Sequence, residues 1–173
     1  ETRAGVLGIE LQNDHFVMME QALPVFSEMP DKAEIADSLN ISASQMETDL
    51  AAQIVSTGLR DIMIPVKCIE TLDAIRPDMK KIEEISQKYN TVGYHVFSLQ
   101  SLYGDTAYCR NFAPLYGIPE EAGTGTSNGA LASYLYHYGI INDEQALHLT
   151  FEQGYAMNRP SEIRVSLAVK DNR

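Results

Sequence analysis

Glu120 and Glu121 are followed, after Ala122, by a turn of glycine and hydroxyl residues, Gly-Thr-Gly-Thr-Ser, that ends at Ser127. Glycines in such a turn let the backbone approach a ligand closely. The segment that follows, 127–138, carries no formal charge and is predicted to be a helix. The free N–H groups and the dipole at the amino end of a helix attract anions. The spacing therefore predicts one wall of a site for a small anionic ligand, with two carboxylates beside it.

The predicted helix Ser127–Tyr138 also sets the expected fold. A helix without a charged face is usually buried, and Gly139 is a suitable residue to end it. Short strands surround it in the sequence, with alternating apolar residues in Ala4–Leu11 and in Glu162–Val169. Regular strand–helix–strand units are too few for a doubly wound sheet. We therefore predict an α+β fold in which a mixed, curved, barrel-like β-sheet wraps around this central buried helix.

The other predicted elements are short and alternate along the chain. Asp31 is the predicted N-cap of the first helix. The segments are a returning hairpin strand (Phe16–Gln21) after a turn at Asn13 and Asp14, an extended segment (Leu23–Phe26), helices (Asp31–Leu39, Ile69–Ile75, Asp78–Tyr89), strands (Asp61–Val66, Thr91–Leu99, Thr106–Phe112) and a helix from Asn142 or Asp143 to about Gln153.

Composition restricts the classes of function. A chain of 173 residues has room for one domain with a sizeable core. Its formal net charge of −11 argues against nucleic acid or an anionic membrane as a partner. No apolar run approaches the ~20 residues that span a bilayer. Cys68 and Cys109 form neither a disulfide framework nor a metal-ligand spacing, so we expect reduced thiols in a cytoplasmic protein and no metal site.

Several ordered motifs along nearly the whole chain carry a family resemblance. They are Ser-Thr-Gly-Leu-Arg at 56–60, Arg-Asn-Phe-Ala-Pro at 110–114, Tyr-Gly-Ile at 116–118, the 120–131 segment, and Glu-Gln-Gly at 152–154 with Met157, Arg159, Pro160 and Ser161. Together they resemble the PhzF-like (phenazine-biosynthesis-like) isomerases. The resemblance implies a diaminopimelate-epimerase-like fold of two similar domains, with the active site in the cleft between them and no cofactor.

The resemblance also implies how this chain relates to the whole protein. The chain has no initiator Met and stops soon after its last predicted strand. We expect residues 1–173 to be a single domain, the C-terminal half of a two-domain protein, whose N-terminal domain is its partner across the cleft. The resemblance leaves open a homodimer of the full protein.

The family motif can be placed on the turn residue by residue. Glu121 corresponds to the acidic residue before the Thr-Gly turn, where the family usually has Asp, so its carboxylate reaches one methylene farther. Thr126 falls on a family Ser and keeps the hydroxyl. The resemblance implies reacting-group contacts from Glu121 and Thr126, and substrate binding by Thr124, Gly125, Ser127 and Glu120. From spacing alone, Glu121 could equally be an acid that interacts with the helix dipole, and Thr126 a plain N-cap.

The sequence differs from the epimerase branch of this superfamily at the proposed site, and this difference indicates which activity to expect. That branch uses two cysteines as acid and base, and residues 124–127 contain none. The pattern favours the PhzF-like branch, in which a glutamate of the N-terminal domain moves a proton. We expect the whole protein to be a cofactor-independent biosynthetic isomerase of a small carboxylate-bearing substrate, and this chain alone to be inactive. The alternative is a small-molecule binding protein that has lost catalysis.

Arg60 and Arg110 are either anion ligands or, more often in such positions, structural partners of nearby acids.

Overall fold

The structure, a computed structural model, describes residues 8–12 and 16–168. Its strands are β1 (Ile9–Gln12), β2 (Phe16–Met19), β3 (Val25–Phe26), β4 (Gln53–Ser56), β5 (Arg60–Pro65), β6 (Gly93–Ser98), β7 (Ala107–Ala113), β8 (Ile118–Glu121), β9 (Leu149–Gln153) and β10 (Ser161–Val165). Its α-helices are α1 (Lys32–Ser38), α2 (Ile69–Ala74), α3 (Met79–Tyr89), α4 (Gly125–His137) and α5 (Asp143–Ala146).

Eight of these strands form one mixed sheet in the order β10–β9–β7–β6–β5–β4–β3, and β8 pairs with β7 off this path. The β5–β6 and β7–β9 pairs are parallel, and α2 and α3 connect the first of them. The other pairs are antiparallel, including β1 with β2, which form a separate hairpin. The predicted α+β fold with a mixed sheet is confirmed. The sheet is mostly open along the described part of the chain, so its barrel-like closure around a central helix stays a prediction.

The two faces of the sheet bury two apolar clusters. Successive side chains of a strand point to opposite faces. Ile62 and Ile64 of β5 accordingly pack with α1, α2 and α3, whereas Met63 packs with α4. Every residue of α4 from Ser127 to Leu135 is buried. Both the polar and the apolar residues of this charge-free stretch are therefore buried.

Helix ends follow the local sequence signals. The Asp31 carboxylate accepts hydrogen bonds from the backbone N–H groups of Ala33 and Glu34, so the predicted N-cap of α1 is confirmed. The Asp78 side chain caps α3 in the same way, and Asn90 ends that helix in the left-handed conformation. These caps are local signals for the beginning of α1 and for both ends of α3.

One predicted element is wrong, and one strand was missed. The helix that begins after Asn142 stops at Ala146, and Leu149–Gln153 is the strand β9, because its residues pair with β7 and β10. Strand β8, which carries Glu120 and Glu121, was not predicted at all. The predicted strand Ala4–Leu11 and the turn at residues 13–14 lie partly or wholly outside the described residues.

Candidate active site

Helix α4 begins within the turn that the sequence predicts to bind an anion. Thr124 is the N-cap residue, and Gly125 and Thr126 are the first two residues of the helix. The first i−4 hydrogen bond of the helix runs from Asn128 N–H to Thr124 C=O at 3.1 Å. The N–H groups of residues 125–127 therefore have no partner within the helix. A Cβ added at Gly125 would meet nothing within 4 Å, so the backbone there faces open space.

Thr126 is not the N-cap, which removes the plain capping interpretation of its hydroxyl. Its backbone carbonyl accepts a hydrogen bond from the Thr57 hydroxyl at 3.3 Å. Within the described ranges, the Thr126 hydroxyl itself makes no hydrogen bond. Thr126 is half-buried as a residue and lies in the first turn of the helix.

Strand β8 places its two carboxylates on opposite faces of the sheet. Glu121 is in register with Asn111, whose side chain contacts α4 through Ser127. Glu120 points to the other face and forms a two-point ion pair with Arg110, with N–O distances of 2.8 and 2.9 Å. Only Glu121 is therefore directed toward the side of the sheet that carries the helix end. Its carboxylate accepts a hydrogen bond from the neighbouring Ala122 N–H at 3.2 Å.

Arg110 and Arg60 both have structural partners. The Arg110 side chain is 7% exposed and also donates to the carbonyls of Leu72 and Ile75, at the end of α2. Arg60 donates to Ser27, to Glu28 and to backbone carbonyls at the end of α3. The structural alternative for these arginines is the one that the contacts support. Pairing Glu120 with Arg110 also reduces the repulsion that a bound anion would meet near the turn.

Four neighbouring strands each direct one polar side chain toward α4, beneath its amino end. These side chains are Asp61 of β5, His95 of β6, Asn111 of β7 and Gln153 of β9, and all are buried. They are joined to one another and to the helix through Ser127 and Asn128. We call these four side chains the buried polar layer.

Ser127 uses its hydroxyl inside the protein. It donates to Asp61 Oδ2 at 2.5 Å and accepts from Asn111 Nδ2 at 3.2 Å. The other Asp61 carboxylate oxygen, Oδ1, is buried without a hydrogen-bond partner. Burial raises the pKa of Asp61 to about 6, although the hydrogen bond from Ser127 lowers it. The Ser127 hydroxyl is therefore occupied, and only the backbone N–H of Ser127 could take the predicted role in substrate binding.

The contacts of His95 define a neutral imidazole. Asn128 uses its Nδ2 to donate to Thr124 and Gln153, so its Oδ1 accepts from His95 Nε2 at 3.3 Å. Asn111 Nδ2 lies 3.2 Å from His95 Nδ1, which accepts its hydrogen bond. Burial lowers the pKa of His95 from 6.5 to about 4. His95 is therefore a neutral, hydrogen-bonded core residue that helps to hold the helix end.

A groove of about 490 Å³ runs along α4 from this end. Gly125, Gly129 and Ser133 line it on the helix, and β2 and β10 line its sides. The side-chain amide of Gln21 lies across it, donating to the Gly125 carbonyl at 3.1 Å and accepting from Thr57. The volume is within the range of small-molecule pockets, about 300–1,000 Å³.

The structure brings the predicted residues Glu121, Thr124, Gly125, Thr126 and Ser127 together and turns Glu120 toward Arg110. Sequence reasoning missed the buried polar layer. For His95 a signal was present, because it is a polar residue within the otherwise largely apolar strand Gly-Tyr-His-Val-Phe-Ser. Among residues 8–12 and 16–168, no three His, Cys, Asp or Glu side chains are grouped so that they could hold a metal ion. That part of the chain also contains no helix with the length and apolarity needed to cross a membrane.

The class of protein follows from comparison with known families. The phenazine biosynthesis-like protein family matches residues 1–173, so the chain belongs to this family. It is 31% identical over 169 residues to the uncharacterized isomerase YddE of Escherichia coli K12, covering 95% of this chain and 57% of that protein. It is 32% identical over 177 residues to an uncharacterized isomerase of Clostridium acetobutylicum, covering 98% of this chain and 59% of that protein.

Two further similarities concern the fold and one named reaction. A crystal structure of a Bacillus anthracis phenazine biosynthesis protein of the PhzF family superposes with a TM-score of 0.84 at 23% identity, covering all of this chain and 61% of that one. The trans-2,3-dihydro-3-hydroxyanthranilate isomerase of Pseudomonas fluorescens is 26% identical over 167 residues, 93% of this chain and 55% of that protein. The chain thus spans little more than half the length of these relatives.

Proposed function

We propose that this chain is the substrate-binding, C-terminal half of a cofactor-independent isomerase that moves a proton within a small carboxylate-bearing substrate. The observation that carries the proposal is the end of α4. There, the backbone N–H groups of residues 125–127 have no helical partners, and the backbone at Gly125 faces open space. Glu121 of β8 lies on the same side of the sheet, in register with Asn111. Membership in a family with relatives named as isomerases supports the same class of reaction.

Each residue of the turn has a distinct proposed role. The backbone N–H groups of residues 125–127 bind the substrate carboxylate, because a helix amino end offers free donors and a favourable dipole. Thr124 places these donors as the N-cap residue, because its backbone carbonyl accepts the first hydrogen bond of the helix. The Thr126 hydroxyl and the Glu121 carboxylate contact the polar groups near the reacting carbon. The predicted substrate contact of Glu120 would require breaking its pair with Arg110, so we propose that Glu120 instead holds β8 in place.

The proton carrier is proposed to belong to the other domain. General acid–base catalysis needs a group within hydrogen-bond reach of the proton that it moves. The titratable residues of the buried polar layer, Asp61 and His95, are 2% and 0% exposed, so neither reaches a substrate. A glutamate facing the turn from a second, N-terminal domain would complete the site. We propose that the two domains enclose the substrate, and that this sheet curves around α4 as in diaminopimelate epimerase-like folds.

The surroundings of the whole protein are part of the proposal. The small number of cysteines and the two free thiols fit a cytoplasmic biosynthetic enzyme. The net charge of −11 fits a small-molecule substrate better than nucleic acid or a membrane surface. A homodimer of the full protein is left open by the resemblance and is tested by its molar mass in solution.

The test compares the full-length protein with the 173-residue chain. Both are incubated in D₂O with trans-2,3-dihydro-3-hydroxyanthranilate, the compound in the name of the Pseudomonas fluorescens relative, and deuterium uptake is followed by NMR. We expect exchange with the full-length protein and none with the short chain. Glu121→Gln in the full-length protein should lower kcat on the order of 10²-fold, the effect expected when one contact that orients or stabilises the transition state is lost. Glu144→Gln, an exposed acid on α5, is the matched control and should leave the rate unchanged.

Three outcomes would contradict the proposal in different ways. Exchange by the short chain that is abolished by Glu121→Gln would make Glu121 the proton carrier. Wild-type exchange rates in the Glu121→Gln protein would remove Glu121 from the site. Saturable binding of the compound by the full-length protein without any exchange would favour the alternative, a small-molecule binding protein without turnover.

A further inference from the structure

The side chain of Gln153 makes an unusually complete set of contacts at the proposed site. It lies at the end of β9 and is 0% exposed. Its Nε2 donates to the Glu121 carbonyl at 2.8 Å and to Thr124 Oγ1 at 3.1 Å. Its Oε1 accepts from the Thr124 N–H at 3.3 Å and from Asn128 Nδ2 at 2.9 Å. A carboxamide has two donor hydrogens and an oxygen with two lone pairs, so its full hydrogen-bonding capacity is used.

The orientation of this amide is fixed by backbone groups. A backbone carbonyl can only accept, and a backbone N–H can only donate. The Glu121 carbonyl therefore requires the Nε2 group on its side, and the Thr124 N–H requires Oε1 on the other. In a reversed amide, the Nε2 donor would face the Thr124 N–H donor, and the Oε1 acceptor would face the Glu121 carbonyl acceptor. Gln153 thus has one satisfactory orientation, in which it binds both ends of the turn formed by residues 121–124.

The neighbouring glycine lets the turn lie against the end of β9. Gly154 has a positive φ of 84°, and a Cβ added there would come within 2.6 Å of the Ala122 carbonyl oxygen. The turn therefore packs directly on the backbone at residue 154 while the Gln153 amide holds its two ends. Residues 122–124 lie between β8 and α4 and belong to neither element. The contacts that this segment makes with Gln153 and with the backbone at residue 154 hold it between the two elements.

We propose that Gln153 is a positioning residue for the active site. It sets the position of Glu121, at the end of β8, relative to the free N–H groups of residues 125–127, at the beginning of α4. The inference rests on the proposed function, because it assigns Gln153 to the geometry of that same site. Gln153 does not touch the substrate. It acts through Glu121 and Thr124, the residues that it binds.

The central variant is Gln153→Met in the full-length protein, which keeps the length of the side chain and removes all four hydrogen bonds. Gln53→Met is the matched control. Gln53 is also buried, at 6% exposed, and it bonds to Ser27 and Tyr138, near the opposite end of α4. Gln153→Glu is a second variant that keeps the acceptors and replaces the Nε2 donor. Protonation of that glutamate restores one donor.

Hydrogen exchange measured by mass spectrometry tests positioning without any assumption about the reaction. In Gln153→Met, the Thr124 amide, followed in a peptide that spans residues 122–127, should exchange about tenfold faster than in wild type, because its N–H loses its acceptor and the turn is released. In Gln53→Met, exchange of the same residues should be unchanged. Unchanged protection of residues 122–127 in Gln153→Met would overturn the proposal.

Steady-state kinetics on trans-2,3-dihydro-3-hydroxyanthranilate test the link to the active site. Gln153→Met should lower kcat by about 10- to 100-fold with a smaller change in KM, since misplacement by about 1 Å can have such an effect. Gln53→Met should keep the wild-type kcat even if both variants lose similar amounts of thermal stability. The kcat of Gln153→Glu, relative to wild type at each pH, should rise as pH falls, whereas that of Gln153→Met should not.

The results separate this inference from the proposed function. If the full-length wild-type protein incorporates no deuterium into the compound, the proposed function is refuted. Amide hydrogen exchange of the protein would still decide whether Gln153 holds the turn. An active wild type together with a fully active Gln153→Met variant would refute the positioning role and leave the proposed function intact. A variant that loses activity and protection at the turn, while its control loses neither, would support both.

Discussion

Replacing Asp61 by Asn tests whether a carboxylate is buried beneath the amino end of α4. Asp61 is 2% exposed and has one carboxylate oxygen without a partner. Burial raises the pKa of this carboxyl from 3.8 to about 6. The folded chain therefore binds the proton more tightly than the unfolded chain does. The resulting stabilisation is fully present below pH 3.8 and is lost as the pH rises through about 6.

The magnitude follows from the two pKa values. One pKa unit corresponds to about 1.4 kcal/mol, so the difference between 3.8 and about 6 corresponds to about 3 kcal/mol of stability lost at neutral pH. Asn has the same shape, can accept the hydrogen bond from Ser127 and carries no charge. The stability of Asp61→Asn relative to wild type should therefore increase by about 2–3 kcal/mol between about pH 4 and about pH 7. Any change in hydrogen bonding that does not depend on pH cancels from this comparison.

His95 acts in the opposite direction over nearly the same pH range. Burial lowers the pKa of His95 from 6.5 to about 4, so its stabilising effect is present above pH 6.5 and is lost as the pH falls through about 4. In wild type the contributions of Asp61 and His95 oppose each other, so the sum of these two contributions should change little between about pH 4 and about pH 6. In Asp61→Asn only the His95 contribution remains, so the variant should become less stable on acidification.

Urea denaturation at a series of pH values measures these differences. Wild type and Asp61→Asn are compared with Asp49→Asn, a control that removes an exposed aspartate far from α4 in the sequence. A stability difference between Asp61→Asn and wild type that stays constant from about pH 4 to about pH 7 would refute the reasoning. That result would mean that Asp61 titrates alike in the folded and unfolded chains.

Three further predictions concern stability and are checked by denaturant unfolding. Gly93→Ala should lower the free energy of unfolding by more than about 3 kcal/mol, because the added Cβ would lie 2.9 Å from Ala113 Cα and against the Phe112 carbonyl. Gly125→Ala should change the free energy of unfolding little, because Gly125 faces open space. Arg110→Met should cost about 3–5 kcal/mol by leaving a partly buried Glu120 unpaired, and adding Glu120→Gln should recover part of that loss. Leu131→Ala should cost about 2–5 kcal/mol, since Leu131 is 0% exposed. A loss below about 1 kcal/mol for Leu131→Ala would mean that α4 is not packed as described.

Much of the local structure was readable from the sequence because local interactions determine it. The caps at Asp31 and Asp78 depend on side chains that bond to backbone groups two or three residues away. The charge-free run of α4 predicted a buried helix, and Ser127–Leu135 is buried. The sequence also predicted the turn before this helix and the group of Glu121, Thr124 and Thr126 around it, because these residues are close together in the chain.

Tertiary structure alone decided which polar groups are free and which are occupied. The hydrogen bond from Ser127 to Asp61 joins residues 66 positions apart, and that from Gln153 to Glu121 joins residues 32 apart. No local periodicity records such pairs, because strand order and register create them. The same applies to Leu149–Gln153, whose local pattern suggested a helix and whose pairing with β7 and β10 makes it a strand. Strand alternation in β8 likewise separated two adjacent glutamates, because successive side chains of a strand point to opposite faces, with Glu120 against Arg110 and Glu121 on the side of α4.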